Sequence, residues 1–170
     1  MPLTKSKSVG SRKAGAKTKV VDAIKLLKQD HREVEGYFED YEEAKDADAK
    51  AALSAKICLA LKVHTQIEEE LFYPSARRAT GDDDLLDEAV VEHQGAKQMI
   101  AEIEAMNPDD DLYDAKVRVL GENVKHHVEE EEKKLFPETQ KTELDVDSLG
   151  RQLAARKAEL MAELAGARRR

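Results

Sequence analysis

The chain is short of several things at once. Its 170 residues include one cysteine, no tryptophan, four prolines and an aromatic fraction of only 4%. A lone cysteine, Cys58, excludes an internal disulfide framework and fits a reducing compartment. Few strand formers, set against abundant Ala, Leu, Glu and Lys, speak for helices rather than a sheet. No apolar run approaches the ~18 residues that span a bilayer. The basic N-terminus lacks the apolar stretch of a secretory signal, so the expected location is cytoplasmic, away from any membrane. What remains is 41% hydrophobic and 38% charged. That is enough apolar surface for one buried core and argues against disorder over most of the length.

The net charge of −8 is unevenly spread: residues 1–21 carry +6, residues 151–170 carry +4, and the stretch between carries −18. An acidic body repels phosphates, so nucleic acid is not an expected partner. Residues 1–18, rich in Gly, Ser, Lys and Ala, read as a disordered basic arm.

Four stretches show helical periodicity, each centred on a histidine. Ile24, Leu27, Val34 and Phe38 share a face with His31, and Ile57, Ala60 and Leu71 share one with His64. Leu86, Ala89, Ala96 and Ile100 accompany His93, and Leu120 and Val124 accompany His127. Helices are expected near 20–46, 49–79 and 83–106, with a fourth opening at Asn107-Pro108 and running to about 140. Gly81 followed by three aspartates supplies a stop and then a cap between the second and third. A last amphipathic helix, about 147–167, carries Leu149, Leu153, Leu160 and Leu164, with a basic polar face suited to an acidic bundle. Short connections make neighbours antiparallel. The expected fold is therefore all-α: an up-down-up-down four-helix bundle over 19–140, after the arm, with an additional C-terminal helix in 141–170.

The bundle reads as a duplication. His64 is followed by Glu68 and Pro74, and His127 by Glu131 and Pro137, with the same spacings. Asp30-His31 is echoed by Glu92-His93. Each proline is expected to bend or end its helix. Histidine and glutamate at i, i+4 stack on one helix face and can reach a common ion. Four imidazoles and two carboxylates would converge, a donor set suited to iron, manganese or zinc and too large for one four-coordinate structural zinc. Each carboxylate has two oxygens, which makes Glu68 and Glu131 natural bridges. A single core histidine is usually just a satisfied polar group; four in a duplicated register favour ligation. His126 lies about 100° round the helix from His127 and reads as a surface neighbour. The flanking glutamates of 68–70 and 129–132 read as mostly solvated.

From Asp22 to Pro137 these motifs resemble the hemerythrin-like family, specifically the bacterial HHE cation-binding domains. The resemblance implies two non-haem iron ions, oxo- or hydroxo-bridged, with manganese or zinc second choices. It makes His31, His64, His93 and His127 terminal ligands and Glu68 and Glu131 bridges, and it implies a small ligand such as peroxide, dioxygen or nitric oxide. Oxygen-carrying hemerythrins have a further histidine four residues after the third-helix ligand; Lys97 stands there. Glu35 or a tyrosine (Tyr37, Tyr41, Tyr73 or Tyr113) is a candidate substitute, and Lys97 either faces the bound ligand or pairs with a surface carboxylate. That departure favours peroxide, nitric oxide or redox chemistry, possible catalase-like activity included, over simple oxygen carriage. Iron storage, sensing and a metal-free helical adaptor are the alternatives. The ferritin-like Glu-x-x-His spacing does not occur.

Overall fold

The structure, a computed structural model, describes residues 21–167; the basic arm at 1–18 lies outside them. Every described element is helical. Helix α1 (Ala23–Glu43) is capped by Asp22, whose carboxylate accepts from the Lys25 N–H at 3.0 Å, and α2 (Ala47–Ile67) is capped by Asp46 in the same way. A π-turn, Glu68–Phe72, joins α2 to α3 (Tyr73–Thr80) without a break. Gly81 then takes the left-handed conformation, φ 71°, that a β-carbon would disfavour. Asp82 caps α4 (Asp83–Glu104). Helix α5 (Tyr113–Glu130) runs through a second π-turn, Glu131–Leu135, into α6 (Phe136–Gln140), and α7 (Val146–Ala167) completes the chain.

One expectation needs correction and another is narrowed. The fourth rod opens at Tyr113, not Pro108: the Asp110 carboxylate accepts from the Asn107 N–H at 2.8 Å and holds a turn in place of a first helical turn. Nor do Pro74 and Pro137 end their helices. The residue before each proline donates its N–H five residues back, to Glu68 and Glu131, and the wide turn accommodates the ring while the helix continues.

Helix α1 packs on α2, and α4 on α5; α1 also meets α5, and α2 meets α4, closing the bundle. Two apolar layers fill it. One holds Leu27, Ile67, Phe72, Leu86, Leu135 and Phe136, and the other holds Val34, Ile57, Leu61, Ile100 and Leu120. Helix α7 lies along α1 and α2 and adds Leu149, Leu153 and Leu160 to the first layer. It gets close enough because residue 150 is glycine: a β-carbon there would sit 1.7 Å from the Val21 carbonyl oxygen. Its basic face meets acids as expected, Arg156 on Glu70 at 2.7 Å and Lys157 on Asp30 at 2.5 Å. No helix of the described residues is long and apolar enough to cross a membrane.

Candidate metal centre

Between the two apolar layers lies a polar one. His31, His64, Glu68, His93, His127 and Glu131 are all buried, Glu68 completely. The helical periodicity of α1, α2, α4 and α5 turns one imidazole inward from each, and the i, i+4 spacing sets each glutamate beside the histidine of its own helix. The Nε2 atoms of His31 and His64 lie 3.1 Å apart, and so do those of His93 and His127. Glu68 reaches both pairs, with Oε1 at 3.1 Å from His64 and Oε2 at 3.3 Å from His93. Glu131 Oε2 is 3.2 Å from His31 and 3.5 Å from His127. The donors fall into two groups able to hold an ion: His31, His64, Glu68 and Glu131, and Glu68, His93 and His127.

The outer ring nitrogens are all spoken for. His31 Nδ1 meets Glu132 at 2.9 Å, His64 Nδ1 meets Asp30 at 3.4 Å, His93 Nδ1 meets Glu69 at 3.0 Å, and His127 Nδ1 meets Glu92 at 2.6 Å. A carboxylate behind a ring fixes the proton on Nδ1 and aims the Nε2 lone pair inward. Glu69 and Glu132 are thus not simply solvated. The acid preceding each of His31 and His93 serves the histidine of the next helix. Each carboxylate in turn holds a basic group: Glu132 holds Arg32, Glu69 holds Lys97, Asp30 holds Lys157, and Glu92 faces His126 at 3.6 Å.

Electrostatics follow from this crowding. Burial works against charge on Glu68, yet His64 and His93 outweigh it and hold the carboxyl well below its usual range. Burial likewise opposes charge on His64, and Glu68 and Asp30 overcome it, pushing the imidazole up to about 10. His127 moves the same way, with Glu131 and Glu92 prevailing over burial.

Two buried carboxylate oxygens, Glu68 Oε1 and Glu131 Oε2, have no well-directed hydrogen bond, although each stands 3.1 or 3.2 Å from an imidazole Nε2. Orphaned buried oxygens cost about 1–3 kcal/mol each, and here they face inward imidazole nitrogens. A cation fits that demand: two nitrogens about 2.1 Å from one ion at right angles stand about 3.0 Å apart, close to the 3.1 Å in each pair. Imidazole with carboxylate suits iron, manganese or zinc.

Of the candidate substitutes, only Tyr73 is here. Its hydroxyl donates to Glu131 Oε1 at 2.8 Å and lies 3.1 Å from His93 Nε2. Burial, then Glu131 and Glu68, push its pKa well above the usual phenol value. Phe136, 63 residues on in the duplicated register, takes the matching place and stacks on His31 at 5.8 Å. At this place the two halves differ by one oxygen atom. Tyr37 bonds to Glu33 and Tyr41 to Asp114, while Tyr113 is buried in the far apolar layer. Glu35 does not reach the site: its carboxylate is half exposed and paired with Arg32. Lys97 takes the surface-pairing option, with Nζ on Glu69 and the side chain 42% exposed. His126 is exposed, as its register implies. On the far side of the histidines from the tyrosine is a cavity of about 210 Å3, walled by the four imidazoles with Val34, Leu61, Ala96 and Val124.

A helical bundle turning imidazoles and carboxylates inward from four helices places the chain among the bundle-core metal proteins. The hemerythrin HHE cation-binding domain family matches residues 22–139, and the chain belongs to that family. A crystal structure of a hemerythrin HHE cation-binding domain-containing protein from Mycobacterium kansasii superposes with a TM-score of 0.73. That match covers 84% of this chain and 89% of the other, at 23% identity. A DNA nickase of Nostoc sp. is 29% identical over 111 residues, 65% of this chain. The chain spans 31% of that relative's length.

Proposed function

We propose that the chain holds two iron ions and binds or reacts with small oxidants or diatomic molecules, peroxide first among them. The observation that carries this reading is the pair of orphaned carboxylate oxygens facing two imidazole pairs, next to an apolar-walled cavity. His31, His64, Glu68 and Glu131 would hold one ion. Glu68, His93 and His127 would hold the other, with the Tyr73 hydroxyl as a further oxygen donor in place of the histidine that Lys97 replaces. Reduced iron held there would supply the electrons for reduction of a bound oxidant.

The protein's own residues do the rest. Glu132, Asp30, Glu69 and Glu92 orient the rings, and Val34, Leu61, Ala96 and Val124 keep the space beside them apolar. The cavity of about 210 Å3 has room for a diatomic or a peroxide beside the imidazoles. Tyr73 holds its proton at Oη against Glu131. Lys97, drawn to Glu69 on the outer side, acts on His93 through that carboxylate.

Single-turnover spectroscopy of the reduced, iron-loaded protein with peroxide, dioxygen and nitric oxide tests the reading. Peroxide consumption or a gas adduct is the expected result. Iron bound with neither would move the assignment to storage or sensing, and a stable protein that takes up no metal would make it a helical adaptor.

A further inference from the structure

Helix α7 lies beyond the matched residues 22–139, yet one of its side chains ends a single bond short of the metal centre. Lys157 Nζ is 2.5 Å from Asp30 Oδ1, and Asp30 Oδ2 is 3.4 Å from His64 Nδ1. Asp30 is buried and Lys157 is about two-thirds shielded, so solvent screens this pair less than it screens a surface ion pair. The other acid near Lys157, Glu33, stands 4.0 Å off and exposed. The duplicated counterpart of Asp30 shows what the lysine changes. Glu92 has no lysine or arginine of α7 upon it and closes on His127 Nδ1 at 2.6 Å. Asp30, one methylene shorter and gripped from behind, stands well back from His64.

We propose that Lys157 is a positioning residue of the metal centre: by holding Asp30 away from His64, it makes the His31/His64 half less electron-rich than it would be with Asp30 seated fully on His64. The inference rests on the two-iron reading above. A carboxylate that accepts fully from Nδ1 makes the imidazole a stronger donor through Nε2. Sharing the carboxylate with an ammonium weakens that push and adds a positive charge nearby. Both effects favour the reduced state of an ion on Nε2, so they act in the same direction. Helix α7 is then more than a cover over the apolar layer, because through Asp30 it tunes the His64 side of the centre.

The test is redox titration of full-length, iron-loaded protein, with iron content measured alongside. Lys157→Met should keep two irons per chain, lower the midpoint potential, and shift the visible absorption of the oxidised centre. Lys157→Arg should restore wild-type values. Arg156→Met is the matched control, because Arg156 docks the same helix through Glu70, which touches no histidine; it should lower the melting temperature without moving the potential. Should the methionine variant fail to fold, Lys157→Gln, which keeps a donor without the charge, carries the same expectation. An unmoved potential in the charge-removing variants, or an equal shift in Arg156→Met, overturns the inference while wild type with two irons leaves the parent reading standing. Wild type that binds no iron overturns both.

Discussion

Replacing Glu69 by alanine removes a carboxylate that belongs to neither donor group, and it should still weaken metal binding. Glu69 accepts from His93 Nδ1 at 3.0 Å, and His93 is 1% exposed, so no water easily replaces the lost acceptor. A buried donor left without a partner costs about 1–3 kcal/mol. Loss of a carboxylate behind a metal-bound imidazole weakens affinity roughly 10–100-fold, which at about 1.4 kcal/mol per decade is the same range reached by a separate route. Lys97, the other partner of Glu69, is 42% exposed and turns to water at little cost. Glu130→Ala is the comparison. It stands next to Glu131, as Glu69 stands next to Glu68, but among the described residues its ion pair is with Lys134 rather than with one of the four inward imidazoles. Competition against a chelator of known affinity should show the second metal of the Glu69→Ala protein 10–100-fold weaker, by the estimate above, and Glu130→Ala unchanged. Equal affinities in the two variants would refute the reasoning that the outer carboxylates aim the ligands.

Tyr73→Phe should leave Glu131 Oε1 without its donor, lower the melting temperature of the metal-free protein, and change the visible absorption of the iron-loaded one; an unchanged spectrum would remove Tyr73 from the donor set. Chelation should lower the melting temperature: metal at 100 times its dissociation constant adds about 2.7 kcal/mol, worth roughly 5–10 °C here. In the metal-free protein His64 is raised to about 10, so its pairing with Glu68 stabilises fully below the free imidazole value of ~6.5 and fades as pH climbs toward 10. Glu68, being lowered, contributes above the ordinary carboxyl range and loses that contribution only in acid. Metal binding runs the other way, because ligands must shed protons, so the drop on chelation should widen from pH 6.5 to 8.5. Differential scanning at each pH is the check, and a drop that narrows as pH rises would contradict it. Gly150→Ala should loosen α7 from the start of α1, since the added carbon meets backbone that cannot turn aside. Faster proteolysis of α7 is the expected signature, and wild-type resistance would speak against it.

Much of the site was legible because both of its codes are short-range. A histidine on each of four apolar stripes, and glutamate one turn on from two of them, needs only the helix period. The cap at Asp82 and the stop at Gly81 were equally local. What stayed hidden depended on geometry between helices or on a departure from the α period. Asp30 and Glu92 showed as an echo, but each serves the histidine of a neighbouring helix, which no single-helix pattern reveals. Glu69 and Glu132 sit ~100° from the buried stripe and passed for solvated acids until the packing set His93 and His31 beside them. Tyr73 follows Glu68 by five residues, which in an α-helix leaves it about 140° away. The π-turn, whose bond runs from the Tyr73 N–H to the Glu68 carbonyl, swings the tyrosine back over the glutamate and into the centre. The start of α5 at Tyr113 was missed because an aspartate-rich turn outcompeted proline as a helix opener.

Metal content is the most direct measurement of all. Protein purified after iron supplementation, desalted and analysed for metal and for peptide, should carry two irons per chain. Glu68→Ala should lose most of both, since Glu68 reaches both histidine pairs. A wild-type value fixed at one or zero, or a Glu68→Ala protein that keeps its full complement, would contradict the centre described above.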